Sequence, residues 1–247
     1  MAVTRAGFAR PHTPTGSADA QLAMCSGMRP IGSPSLRAHL AARTRFIDDH
    51  VLAAIAAGVT QVVVLGAGYD DRALRFHSPG VRFFELDHRA TQVDKRRRVT
   101  MMAADTADLT FAPVDFRVDQ VGEVLRSAGH DAGRASLFIC EGLLVYLDET
   151  TIVSLLAGLR ARAGPDSVLA ASLAVHAAAL DSTIVVRIAN SRRPDGATEP
   201  WRTILPAAIH LDLLRRAGWS PTVAADDTTM GTGALPERSL LVAAVPA

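Results

Sequence analysis

The chain has few cysteines, almost no lysine and no long apolar run, and each shortage argues against a class of protein. Cys25 and Cys140 are the only cysteines in 247 residues and lie far apart, so they make no disulfide framework. Cys140 stands in an apolar run, and reduced thiols in a cytoplasmic setting are the simple reading. No stretch approaches the roughly 18 to 20 apolar residues of a membrane span. The opening MAVTRAGFARPHTPTGS lacks the apolar core of a secretory signal and reads as a loose tail over residues 1–17. The net charge of +1 offers a nucleic acid no general electrostatic hold. Lys95 is the single lysine among 26 basic residues, a bias that fits a GC-rich genome. It opens the one basic cluster, Lys95-Arg96-Arg97-Arg98, expected to be the solvated face of a helix. No spacing of histidine, cysteine and aspartate suggests a metal site, and the G-x-S-x-G elbow of a hydrolase is missing.

What is present begins at residues 62–76, VVVLGAGYDDRALRF. Residues 62–65 read as a buried strand: β-branched, uncharged and ended by a turn. Gly66-Ala67-Gly68 then lets the backbone approach a ligand closely at the end of a parallel strand. A dinucleotide fingerprint needs a third glycine at position 71, where this chain has Asp71. Asp70 and Asp71 are expected to repel a pyrophosphate. A ligand with a ribose and a cationic centre, such as S-adenosylmethionine, escapes that repulsion.

Hydrophobic residues make up 49% of the chain, enough for a large core. Strands are expected at 61–66, 82–87, 114–117, 135–140 and 167–173. Helices are expected between them at 89–103, 121–128 and 149–162, the last with Asp148 as N-cap. This alternation argues for a parallel sheet with helices on both faces. The end differs: a helix at 206–217 is followed by strands at 221–225 and 239–245, an antiparallel pair on the sheet edge. The expected fold class is therefore α/β, a Rossmann-like class I methyltransferase topology: a mostly parallel seven-stranded sheet with a terminal antiparallel hairpin. A helix at 35–57, ending at Gly58, and a second at 18–28 give an N-terminal helical cap over 18–58. The cap either closes over a ligand or simply covers the sheet. Residues 59–247 form the ligand-binding domain.

The second strand ends in Glu85-Leu86-Asp87. Strict alternation puts Glu85 and Asp87 on one face, and Asp87, nearer the carboxyl end, is favoured as the acceptor for both ribose hydroxyls. NAD proteins share that signal. Asp115, in VDFRVD, stands where an acid could meet an adenine amino group. Glu141 follows a nearly continuous apolar strand, where a carboxylate needs a partner. The amino group of a methionine moiety or an internal arginine would serve.

Six segments together resemble the leucine carboxyl methyltransferase family, including its bacterial polyketide carboxyl O-methyltransferase branch. They are ARTRFIDD (42–49), QVVVLGAGYDDRALRF (61–76), FFELDHRATQVDK (83–95), VDFRV (114–118), FICEGLLVYL (138–147) and TEPWRT (198–203). The resemblance implies that Arg43 holds the carboxylate of S-adenosylmethionine. It places the glycine turn at Gly66, Ala67 and Gly68, the ribose acid at Asp87, the adenine-side pair at Asp115 and Phe116, and a further acid at Glu141. The chain departs from the family at Asp71, usually threonine, and at Arg89, usually proline in the bacterial branch. Arg29 is the nearest counterpart of the family's upstream basic residue.

Methyl transfer from a sulfonium requires acceptor, methyl and sulfur in line. A carboxylate acceptor is ionised at neutral pH and needs no base, whereas a phenol would benefit from one. His176, after the fifth strand, and His210 are candidate bases, and Tyr146 and Trp201 are candidates to line an acceptor pocket. The expected activity is S-adenosylmethionine-dependent O-methylation of a small-molecule carboxylate or phenolic hydroxyl, in a natural product such as a polyketide. His176 and Tyr146 are the expected catalytic pair, with no metal and no nucleic-acid or membrane partner. The oligomeric state is open, with a homodimer among the options. One alternative is a cofactor-binding scaffold or regulator without methylation activity. Another is an NAD-dependent oxidoreductase, against which Asp71 and the terminal hairpin count.

Overall fold

Two short apolar runs set the centre of the sheet. In the computed structural model, β1 (Gln61–Leu65) is buried at every position, and so is the strand at Ser136–Cys140, as strands covered on both faces must be. The structure describes residues 10–16, 22, 34–176, 181–191, 200–226 and 237–247. Numbered along the chain, the other strands are β2 (Arg82–Asp87), β3 (Leu109–Pro113), β5 (Val168–His176), β6 (Trp219–Asp226) and β7 (Glu237–Pro246), with Ser136–Cys140 as β4. The sheet order is β3-β2-β1-β4-β5-β7-β6. The first five strands run parallel, and β7 pairs antiparallel with both β5 and β6. The mostly parallel seven-stranded sheet with its terminal hairpin is the expected architecture.

Seven α-helices are described: α1 (Pro34–Ala56), α2 (Arg72–Arg75), α3 (Arg89–Met101), α4 (Val121–Ser127), α5 (Glu149–Arg160), α6 (Ser182–Ser191) and α7 (Ala207–Arg216). On one face, Ile47 and Val51 of α1 pack on Val62, Val64, Phe83 and Ile139. On the other, α4, α5 and α7 enclose Phe84, Phe138 and Trp219. The Trp219 indole N–H donates to the Leu156 carbonyl at 2.9 Å, so the largest buried ring leaves no polar atom unsatisfied. Asp148 caps α5 by accepting from the Thr151 N–H at 2.8 Å. The chain runs from β1 outward to β2 and β3, then returns to β4 on the other side of β1. The crevice beyond the carboxyl ends of β1 and β4 is thus the switch point where open α/β sheets bind ligands.

Several expectations need correction. The third strand is Leu109–Pro113, not 114–117; Pro113 pairs with Asp87 and ends the strand. Residues 114–119 instead turn, with the N–H groups of Val118 and Asp119 donating to the Asp115 carbonyl. The fifth strand continues to His176, because β7 offers it partners along its whole length. Lys95 does not lie on a solvated face: it is 2% exposed and paired with buried Glu85. Residues 10–16 are not loose, since the Thr13 N–H donates to the Arg75 carbonyl and Arg75 Nη1 to the Pro11 carbonyl. Helices α2 and α6 were not foreseen. Apart from Leu22, which packs on Leu74 and Val99, the expected helix at 18–28 lies outside the described residues, as does Arg29. Among the described residues, no helix is long and apolar enough to cross a membrane.

Candidate functional site

The turn after β1 needs its glycines. Gly66 and Gly68 have φ of +62° and +48°, the left-handed region that side chains disfavour. A Cβ on Gly66 would also stand 3.2 Å from Leu143. The turn is tied to β2 by two bonds: the Ala67 N–H donates to the Leu86 carbonyl at 3.1 Å, and the Gly68 N–H to Asp87 Oδ2 at 2.6 Å. Asp87 Oδ1 accepts from the His88 N–H at 2.6 Å. Each carboxylate oxygen therefore has accepting capacity left for another donor.

Asp87 lines a cleft of about 300 Å³ at the strand ends, at the small end of the range for small-molecule sites. Gly66 forms its floor, and Asp115, Phe116 and Arg117 line it beside Asp87. Gly142, Leu143, Tyr146, Pro200 and Arg202 line it too. Tyr146 sits on a single 3₁₀ turn, Leu144–Tyr146, that follows β4. Arg117 donates twice to Asp115, at 3.0 and 2.8 Å, and this pairing lowers the Asp115 carboxyl to a pKa of about 2. Glu85, two residues back from Asp87, does not reach the cleft: it is 1% exposed, with Lys95 Nζ 2.5 Å away in an ion pair that lacks hydrogen-bond alignment. Burial raises the Glu85 carboxyl, and the Lys95 charge opposes that shift. The two acids on one strand thus have different environments, and Asp87 alone faces the ligand space.

Behind the turn lies a closed ionic network. Arg72 donates to Asp48 at 2.7 Å, to Asp70 at 2.5 Å and to Glu141 at 2.7 Å. Arg75 donates to Asp48 at 2.9 Å and to Asp71 at 2.9 Å, and Arg10 also pairs with Asp71. Asp70 and Asp71 are only 4% and 6% exposed. The expectation that they would repel a pyrophosphate is therefore wrong: arginines neutralise both inside the protein, so they give no reason to prefer one ligand over another. Arg43 Nε donates to Glu141 Oε1 at 2.9 Å, which joins α1 to the end of β4. Arg43 and Glu141, expected at opposite ends of a methionine moiety, are here partners of each other, and neither lines the cleft. The Arg43 guanidinium does come within 3.6 Å of where a Cβ on Gly142 would stand.

The other candidates divide similarly. Gly66, Asp87, Asp115, Phe116 and Tyr146 meet at the cleft. Ala67 and Gly68 act through their backbone N–H groups. His176 does not line the cleft; it is 6% exposed, with Nε2 3.2 Å from Ser182 Oγ. Because β5 carries it to the sheet's last rung, it packs under α6 instead of reaching the ligand space. His210 is buried with Nε2 2.8 Å from the Ala174 carbonyl, and desolvation lowers its pKa. Trp201 packs with Val185 and Ile204, not on the cleft. Sequence reasoning missed Gly142 and Arg202, although Gly142 directly follows Glu141 and Arg202 lies within TEPWRT. Among the described residues, no group of three histidine, cysteine or acidic side chains could hold a metal ion.

A sequence profile of the leucine carboxyl methyltransferase family matches residues 6–160, more than half of the chain. The chain belongs to the leucine carboxyl methyltransferase family. A protein of Streptomyces avermitilis, provisionally named an S-adenosyl-L-methionine-dependent methyltransferase, is 35% identical over 166 residues, covering 66% of this chain and 56% of its own length. A Streptomyces coelicolor protein of the same provisional name is 36% identical over 167 residues, with the same shares. The chain thus spans little more than half the length of these relatives. Among solved structures, magnesium protoporphyrin IX methyltransferase of Synechocystis PCC 6803, with S-adenosylhomocysteine bound, shares the fold at a TM-score of 0.56 and 15% identity, covering 92% of this chain and 93% of that one. A Thermobifida fusca structure provisionally titled a methyltransferase gives a TM-score of 0.61 at 17% identity, covering 86% and 83%. The cleft suits a nucleoside ligand such as the S-adenosylmethionine named for these relatives: left-handed glycines line it beside an acid with accepting capacity to spare.

Proposed function

We propose that the protein is an O-methyltransferase that transfers the methyl group of S-adenosylmethionine to a small-molecule carboxylate or phenolic hydroxyl, of the kind found in natural products such as polyketides. One observation carries the reading: the Gly68 N–H locks Asp87 at the cleft edge with oxygens still able to accept. Asp87 would take the ribose hydroxyls, and the Asp115-Phe116 segment the adenine. When bound, the cofactor supplies an electrophilic methyl group on a sulfonium. The chain's part is then to orient the acceptor and exclude water. A carboxylate is already ionised, so the absence of His176 from the cleft lining removes nothing that reaction needs. For a phenol, Tyr146 is the cleft-lining group nearest in kind to a proton carrier.

Arg43 and Glu141 would serve the methionine end by sharing or exchanging their mutual ion pair with the ligand. Calorimetry with S-adenosylhomocysteine, adenosine and NAD tests the reading. S-Adenosylhomocysteine should bind and NAD should not. Arg43→Ala and Glu141→Ala should weaken S-adenosylhomocysteine far more than adenosine. Parallel loss of both ligands, with a lowered melting temperature in the ligand-free variants, would assign the pair to the scaffold. Micromolar NAD binding with no response to S-adenosylhomocysteine would overturn the methyltransferase reading itself.

A further inference from the structure

Residues 200–205 form a strap whose anchored backbone carries one arginine to the cleft. Its backbone is secured on both sides of Arg202. The Arg202 N–H donates to the Val145 carbonyl at 2.7 Å, and the Thr203 N–H reaches the same oxygen at 3.2 Å. The Thr203 hydroxyl donates to the Leu147 carbonyl. Asn190 of α6 clamps Trp201 from both sides, donating to its carbonyl and accepting from its N–H, each at 2.8 Å. Farther on, Leu205 bridges to Val175 of β5. The strap is therefore registered on the 3₁₀ turn, on α6 and on β5 at once, and it delivers Arg202 to the wall that Tyr146 and Leu147 also line.

The cleft has two arginines, and only one is engaged by a neighbouring acid. Arg117 is held in a two-bond pair by Asp115. No carboxylate among the described residues forms an ion pair with Arg202; Asp148 feels its charge but does not contact it. Arg202 is itself exposed, and an accessible guanidinium carried on an anchored backbone at a cleft suits a planar anion, because its fork can make two parallel bonds to one carboxylate.

We propose that Arg202 is the acceptor-recognition residue and that it selects a carboxylate. This rests on the methyltransferase reading and names the residue that would recognise its acceptor. In the reaction, one carboxylate oxygen forms a bond to the methyl carbon, and the carbon–sulfur bond breaks with its electron pair going to sulfur. The products are a neutral methyl ester and S-adenosylhomocysteine. The acceptor loses its charge in that step, so Arg202 grips substrate and not product, which favours release.

The test uses benzoate and its neutral isostere benzamide, titrated into the full chain saturated with S-adenosylhomocysteine. The wild type should prefer benzoate by roughly tenfold or more, the size of one charge-assisted contact. Arg202→Gln should abolish the preference, and Arg202→Lys should keep part of it. S-Adenosylhomocysteine affinity and the melting temperature should stay near wild type in both variants. Equal binding of the two probes by the wild type, or an unchanged preference in Arg202→Gln, would overturn the role of Arg202 while leaving the methyltransferase reading intact. Failure of the wild type to bind S-adenosylhomocysteine would overturn that reading, and the acceptor role with it.

Discussion

The Gly66–Gly68 turn separates two regions built from the same residue types. Behind it, the carboxylates of Asp48, Asp70, Asp71 and Glu141 are largely covered and closed into pairs with Arg10, Arg43, Arg72 and Arg75. In front of it, Asp87, Asp115, Arg117 and Arg202 face a cleft. The first region holds α1, the turn and the end of β4 in one geometry, and the second can exchange partners with a ligand. An aspartate's role here follows from which side of the turn it occupies.

The sharpest way to break this comparison is Asp48→Asn. Asp48 is fully buried between Arg72 and Arg75. Removing its charge leaves two interior cations short of a partner, at a loss of about 3 to 5 kcal/mol. Thermal melting should show a drop of roughly 6 to 20 °C for a chain of this size, with S-adenosylhomocysteine affinity of the folded protein nearly unchanged. Asp87→Ala should do the reverse. Two ribose bonds of about 1.5 to 3 kcal/mol each are at stake, so calorimetry should show binding weakened tenfold or more, against a stability loss of about 1 to 2 kcal/mol from the freed Gly68 and His88 N–H groups.

His130 lies outside both regions and supplies an acid-sensitivity of its own. It packs between Phe84 and Phe138, and burial together with the Arg162 charge lowers its pKa from 6.5 to about 4. Between those values the unfolded chain binds the proton and the folded one does not, so stability falls as pH drops from 6.5 towards 4. His130→Gln should flatten that limb by about 1 to 3 kcal/mol, read as melting temperature against pH. An unchanged limb would place the acid sensitivity elsewhere. The smallest effect belongs to Arg97→Ala. Arg97 is largely exposed and, among the described residues, pairs only with Asp94, so the change should stay within about 0.5 kcal/mol in denaturant unfolding. Lys95→Ala, two residues earlier in the same basic run, should destabilise far more.

Most of the sheet was legible because a buried parallel strand is a short apolar run and this chain punctuates its runs clearly. The strand at 109–113 was not. It is an edge strand, only Ala112 in it is buried, and its LTFAP pattern carries less signal than the neighbouring VDF. In the site, the glycine turn and Asp87 could be read from spacing along one strand–turn unit. The burial of Asp70 and Asp71 could not, because Asp48, which anchors their arginine partners, is more than twenty residues away in α1. The i,i+4 spacing of Asp71 and Arg75 was the one local hint. Lys95 hid within a run of four basic residues, of which it alone turns inward to Glu85.

The position of β7 also bears on synthesis. This strand is made after β6, yet it lies between β6 and the rest of the sheet. Until it emerges from the ribosome, β5 presents an open, largely apolar edge, and β6 has no neighbour to join. Such an edge can pair with another nascent chain. A ribosome pausing between Asp226 and Glu237 would leave two strands unplaced, and damage to β7 alone would release β6 as well.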